Sequence, residues 1–309
     1  MTDFNFSENH APGDTADTMS DSPDSGAAFP KLITYTVSEL LEAARKNPRE
    51  TVLPKLYAGK VGLLISPYGA GKSMFALQTC MSLAAGRDIL GVRSVLKDDD
   101  RVEFPPMKTL FLNHRGQSES ILSRMVNASK AFSDTDMRSI EANMSFCDLD
   151  SMTHIDVSTV EGASCLSYLA KGNKFMVVDD LVNSHRLNED CGRDMARVMS
   201  AFENTARETG CAILLLHYTP DPSSPVRAGE MPDVPRNLDG SLYAFYSWLG
   251  YLARMTPEEA RVRNIPENTA GRYVRFGISS IRGWHDKWLE REERWMKFGD
   301  DGVLSLASV

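Results

Sequence analysis

From residue 60 onward the chain alternates short apolar runs with longer stretches whose apolar residues recur at helical spacing. Lys60 to Ile65, Lys108 to Asn113, Lys174 to Leu181 and Cys211 to His217 have strand length and are rich in Val, Ile, Leu and Phe. Each therefore reads as a strand buried on both faces. Helices are expected at 74–81, 118–132, 134–143, 157–170 and 190–208, with a short strand at 144–147. Val157, Val160, Leu166 and Leu169 mark the inward stripe of helix 157–170, and Met195, Val198, Met199 and Phe202 that of helix 190–208. Strand-like segments at 241–254, 272–280 and 286–297 then follow one another. Alternating strands and helices build a parallel sheet, whereas consecutive strands pair antiparallel. The expected fold is α/β, a mainly parallel central sheet flanked by helices and extended by antiparallel C-terminal strands.

The N-terminal part departs from this pattern. Residues 1–30 hold Asp3, Glu8, Asp14, Asp17, Asp21 and Asp24, with no Lys or Arg and few large apolar residues. Such a segment buries too little surface to offset its ordering entropy, so a disordered acidic tail is expected, with one folded domain over 31–309. The tail carries six of the net −8 charges, which leaves the body near neutral. Any nucleic-acid contact must then come from a local patch or channel. Thr36, followed three residues later by Glu39, opens a capped helix that Pro48 ends.

Composition narrows the setting. No apolar run reaches membrane-spanning length, and no basic, apolar and small-residue leader opens the chain. Cys80, Cys147, Cys165, Cys191 and Cys211 are scattered singly. These features lead one to expect a cytoplasmic protein with reduced thiols and neither a zinc site nor a disulfide framework.

The candidate chemistry lies in Ser66-Pro67-Tyr68-Gly69-Ala70-Gly71-Lys72-Ser73-Met74. Strand, glycine-bearing loop, Lys-Ser and helix form the setting in which a phosphate loop works. Glycines let backbone N–H groups turn toward a polyphosphate, and the following helix aims its positive end at the same anion. Pro67, Tyr68, Gly69, Ala70, Gly71, Lys72, Ser73 and Met74 are the candidate nucleotide-binding residues. Lys72 would reach the β- and γ-phosphates of ATP, and the Ser73 hydroxyl would ligate Mg²⁺. The usual first glycine is here Ser66. Met176-Val177-Val178-Asp179-Asp180 is an apolar run ending in carboxylates, the means by which such proteins bring an acid to the metal. Asp179 is the candidate metal ligand, with Asp180 facing solvent or supporting the site from behind. His217, at the end of another buried strand, either senses the γ-phosphate and belongs with Lys72 among the catalytic candidates, or is a buried structural histidine. Residues 218–238 hold five prolines, and a loop of that length inside a domain tends to be functional or disordered. Trp284, Trp288 and Trp295 fit a core better than a base-stacking platform.

From Leu53 to the C-terminus the chain resembles the RepA-type hexameric replicative helicases of broad-host-range plasmids, within the RecA/DnaB-like P-loop ATPases. The resemblance rests on Leu53-Pro54, Ala58-Gly59-Lys60-Val61-Gly62, the Ser66 to Met74 loop and Met176-Val177-Val178-Asp179. It continues through Thr209-Gly210-Cys211, Leu216-His217, Val274-Arg275-Phe276-Gly277 and Asp301-Gly302-Val303-Leu304. It implies a RecA-like core, a hexameric ring of identical subunits with ATP and Mg²⁺ at each interface, and single-stranded DNA in the channel. The 218–238 loop corresponds to the segment that family points toward DNA.

Four positions depart from the family. Arg115 stands where its water-activating glutamate belongs, Tyr218 replaces a second histidine, Ser247 takes the place of the arginine finger before Trp248, and Ser280 replaces a lysine. A finger supplied in trans is worth about 10³–10⁵ in rate. Glu119 or Asp180 as base, and Arg275 or Arg282 as cation, are the possible replacements. Two functions are therefore expected: a DNA-coupled ATPase of the replicative helicase type, or a hydrolysis-poor ATP-binding ring or scaffold subunit of a switch, regulatory or defence complex.

Overall fold

The computed structural model describes residues 36–46, 50–93, 104–114, 118–149, 155–189, 191–218, 248–279 and 293–309. Chain contacts divide the protein into two units, Met1–Arg49 and Glu50–Val309. In the first, α1 (Val37–Lys46) starts as its sequence requires: Thr36 N donates to a Glu39 carboxylate oxygen at 2.6 Å, and Glu39 N donates to Thr36 Oγ1 at 3.3 Å. The acidic 1–30 segment lies outside the described residues.

The second unit opens with an antiparallel ribbon, β1 (Thr51–Leu53) and β2 (Leu56–Tyr57), too short to show any periodicity in the sequence. β3 (Val61–Ser66) leads to α2 (Lys72–Ala85), and β4 (Thr109–Asn113) to α3 (Ser118–Ser129) and α4 (Asp134–Asn143). β5 (Met144–Asp148), α5 (Val160–Ala170), β6 (Phe175–Asp179), α6 (Gly192–Thr209) and β7 (Ala212–Tyr218) follow. β8 (Trp248–Arg254), β9 (Tyr273–Ser279), β10 (Arg294–Phe298) and β11 (Leu304–Leu306) end the chain.

Among the described residues these strands form one nine-stranded sheet in the order β11-β10-β9-β8-β3-β7-β6-β4-β5. β8, β3, β7, β6, β4 and β5 run parallel, while β9, β10 and β11 are added antiparallel. This is the expected α/β architecture, a mainly parallel central sheet flanked by helices and extended by antiparallel C-terminal strands. Strand pleating explains the unbroken apolar runs. Leu64, Phe111 and Leu216 join Phe75 and Leu77 of α2 in one core, whereas Leu63, Ile65, Val178 and Leu215 join Met199 and Phe202 of α6 in the other. Where β3 meets β8, the Trp248 indole lies across Gly62 and donates to Pro54 O at 2.7 Å. A Cβ on Gly62 would come within 2.7 Å of that ring.

Several expected boundaries shift. Helix 157–170 starts only at Val160, because Thr159 caps it by accepting from Gly162 N at 3.0 Å. Val157 is buried ahead of the helix, whereas Val160 is 77% exposed and leaves the inward stripe. The run 174–181 stops as a strand at Asp179 and turns into a 3₁₀ segment, Val182–Ser184. Of 241–254 and 286–297, residues 241–247 and 286–292 lie outside the described part, as do Trp284 and Trp288. Trp295 is buried, as a core role requires. Among the described residues no helix is long and apolar enough to cross a membrane.

Candidate functional site

β3 delivers the chain to Ser66 at the carboxyl edge of the sheet, and α2 begins at Lys72. The intervening turn uses φ +78° at Gly69 and φ +96° at Gly71, a region other residues enter at a cost. Gly71 caps α2, and a Cβ there would stand 2.4 Å from the Phe298 ring. Ser66, in contrast, needs no left-handed conformation: among the described residues outside glycine, only Lys55 and Asn264 have positive φ. A serine can therefore open the loop without strain. Its side chain also has a use, since Lys72 Nζ donates to Ser66 Oγ at 2.8 Å, to Ser66 O at 2.9 Å and to Pro67 O at 3.4 Å.

Parallel register decides what else stands here. Ile65 pairs with His217 and Ser66 with Tyr218, so β7 places these two side chains beside the loop. The Tyr218 ring covers Lys72 Nζ at 3.8 Å and stacks on Tyr68, with ring centres 5.8 Å apart. His217 is buried, and its Nδ1 has no hydrogen-bond partner among the described residues. Burial holds its pKa down at about 4; Lys72 and His185 push the same way and Asp180 opposes them. The imidazole is neutral at physiological pH.

Asp179 ends β6, one strand beyond β7, with its carboxylate buried. It pairs in register with Asn113, and Asp179 O accepts from His114 N at 2.7 Å. The Asp179–Asp180 peptide is cis. Asp180 is also buried, not solvated: its Oδ1 accepts from Asn183 N at 3.1 Å and Asn183 Nδ2 at 2.7 Å, closing the 3₁₀ turn. The edge of the sheet thus gathers Asp179, Asp180, Asn113, His114 and His217, none more than a tenth exposed.

In front of the loop lies a cleft of about 500 Å³ that Gly71, Lys72 and Ser73 share with Arg124 of α3, Arg254 of β8 and Phe298 of β10. Arg254 donates to Gly69 O and to Gly271 O, each at 2.5 Å, bracing the loop from the adjoining strand. Asn127 Nδ2 donates to Asp301 O at 3.1 Å, which ties α3 to the turn between β10 and β11. Residues 298–302, Arg124 and Arg254 were not foreseen as site residues. The one sequence signal was the Asp301-Gly302 pair, which marks a tight turn but not where the turn packs.

The residues considered as base or trans-acting cation fare unequally. Glu119 is exposed on α3. Arg275 is 1% exposed on β9, with Nη1 at 3.3 Å from both Glu259 and Glu293. It is a core cation and cannot serve a neighbouring subunit. Arg115, Ser247, Ser280 and Arg282 lie outside the described residues, as does the 218–238 loop beyond Tyr218. Among the described residues no three His, Cys, Asp or Glu side chains gather as a metal cage.

A family model described as an AAA domain matches residues 29–223. Among solved structures, the chain is similar to the RadB recombinase, with 13% identity, 79% of this chain and 90% of that chain covered, and a TM-score of 0.47. It is also similar to a KaiC-like protein from the hyperthermophilic archaeon Pyrococcus horikoshii OT3, with 15% identity, coverage of 82% and 91%, and a TM-score of 0.49.

Proposed function

The chain belongs to the AAA domain family, and from that premise we propose that it binds ATP with Mg²⁺ through Gly69 to Met74 as a RecA-like ATPase subunit. The observation that carries this reading is the start of α2: two left-handed glycines, then Lys72 and Ser73, with Asp179 and His217 on strand ends of the same sheet edge. The loop's N–H groups and the helix end receive phosphate oxygens. Lys72 adds a cation to the β- and γ-oxygens, and the buried, neutral His217 is a polar contact for the terminal phosphate. Ser73 and Asp179 would hold the metal through oxygen, a sparse set that suits Mg²⁺, an ion that usually binds few protein oxygens. Bound Mg²⁺ supplies the charge neutralisation that phosphoryl transfer requires.

The resemblance to RepA-type helicases extends this to a cytoplasmic homo-oligomeric ring, six-membered in that family, with ATP between subunits and single-stranded DNA in its channel. A second reading, an ATP-binding ring or scaffold subunit that hydrolyses slowly, is favoured by two specific observations. Arg275 is held by Glu259 and Glu293, and Asp180 is held by Asn183, so neither stands ready to replace a missing catalytic group.

ATP binding by calorimetry and steady-state hydrolysis, with and without single-stranded DNA, test both readings against a Lys72→Ala control. The expected result is Mg²⁺-dependent ATP binding that Lys72→Ala abolishes while the melting profile stays intact. DNA-stimulated turnover supports the motor, and turnover no greater than that of Lys72→Ala supports the slow switch. Undiminished binding by Lys72→Ala overturns the site.

A further inference from the structure

The Lys72 ammonium is already saturated. Its three protons face Ser66 Oγ, Ser66 O and Pro67 O, and the remaining side is closed by the Tyr218 ring at 3.8 Å. Lys72 is 5% exposed, and a cation over an aromatic face is held more strongly as water is excluded. Tyr218 is fixed there from two directions. Register pairs its backbone with Ser66, the residue Lys72 reaches back to, and Tyr68 packs on its ring with 28° between the planes. Tyr68 is 81% exposed, so the pair covers the lysine with its outer leaf facing solvent.

We infer that Tyr218, backed by Tyr68, is a gate that sets which nucleotide the phosphate loop accepts. This rests on the nucleotide reading of the loop. The loop's N–H groups and the start of α2 remain open to a diphosphate. A phosphate that draws on the Lys72 ammonium must displace the Tyr218 ring. The loop N–H groups can hold the β-phosphate of ADP without it, whereas the γ-phosphate of ATP lies beyond them, so the cost falls more heavily on ATP than on ADP. Nucleoside diphosphate is then the favoured ligand of the closed lid, and triphosphate binding is coupled to its opening.

Calorimetric affinities for Mg-ATP and Mg-ADP in the wild type, Tyr218→Ala, Tyr218→Phe and Tyr68→Ala test this. Tyr218→Ala should tighten ATP binding about tenfold, the scale of one partly desolvated cation–aromatic contact, and tighten ADP binding by a clearly smaller factor. Tyr218→Phe keeps the aromatic face and should match the wild type. Tyr68→Ala should shift ATP in the same direction by a smaller factor, and it guards against a Tyr218→Ala protein that does not fold. Equal changes for both nucleotides, or weaker ATP binding in Tyr218→Ala, would overturn the gate while leaving the nucleotide site standing. If neither the wild type nor Tyr218→Ala binds either nucleotide, the phosphate-loop reading falls and takes the gate with it.

Discussion

Gln78 and Leu304 exchange two hydrogen bonds, Gln78 Nε2 to Leu304 O and Leu304 N to Gln78 Oε1, each at 2.9 Å. Gln78 is fully buried in the helix that begins at Lys72, and Leu304 starts the last strand, 226 residues away. A single amide thus matches both backbone groups of Leu304 and seats the β10–β11 turn, with Asp301 and Gly302, at the mouth of the cleft. Gln78→Leu would leave a buried N–H and a buried C=O unmatched, costing about 2–4 kcal/mol. The melting temperature should fall by roughly 5–10 °C in a domain of this size. Equal melting of Gln78→Leu and wild type in calorimetry would refute the clip.

Gly71 is constrained twice, by its φ of +96° and by the Phe298 ring. Gly71→Ala should destabilise the protein and weaken nucleotide binding together, because the strain falls on the residue that caps α2. Phe298→Ala removes the ring but not the backbone demand. Adding it to Gly71→Ala should therefore restore part of the loss, giving a coupling of about 0.5–3 kcal/mol in a double-mutant cycle on melting data. Strict additivity would show that the ring does not oppose a side chain at position 71.

These relationships mark the limit of what the sequence displayed. The strand, glycine turn and helix around Ser66 to Met74, the Thr36–Glu39 cap and the runs that became β3, β4, β6 and β7 were legible because each is a local pattern with a local cause. Val160 was misplaced because Thr159 competes for the helix start, and side-chain capping outweighed periodicity there. β1, β2 and β11 have two or three residues each, too few for any alternation. Arg254 and Phe298 reached the site through strand order and register, which only the assembled sheet sets. The surroundings of Arg275 were hidden for a similar reason. Its partners Glu259 and Glu293 come from a short helix, Pro257–Val262, and from the residue preceding β10, and nothing in their spacing announces a meeting.

His217 predicts a pH dependence of stability. Burial lowers its folded pKa to about 4, against an ordinary 6.5, so the unfolded chain binds a proton that the native protein refuses. Asp180 draws the proton toward it, whereas Lys72 and His185 repel it. Its stabilising contribution is complete above pH 6.5 and declines as pH falls toward 4, by up to about 3 kcal/mol. His217→Asn should flatten that part of the profile. Denaturant titrations of both proteins between pH 7 and pH 4.5 measure the difference, and parallel curves would show that the imidazole is not the group responsible.

Arg275 separates a structural cation from a catalytic one. An arginine finger acts on a neighbour's terminal phosphate, and its removal lowers turnover while the subunit stays folded. Arg275 instead lies beneath β9's surface, between Glu259 and Glu293, with its guanidinium 5.7 Å from the Trp295 ring centre. Glu259 also closes the cap of its own helix by accepting from Thr256 N at 2.9 Å, so the ion pair and the helix start share one carboxylate. Arg275→Ala would strand two acids that are 15% and 20% exposed, a loss of about 3–5 kcal/mol. Arg275→Met, which keeps most of the volume, still leaves the acids unpaired and should recover little. The expected signature is a large drop in denaturation midpoint for both variants, with any loss of ATP turnover following the unfolded fraction. A variant that melts like the wild type yet loses turnover would return Arg275 to the list of trans-acting cations.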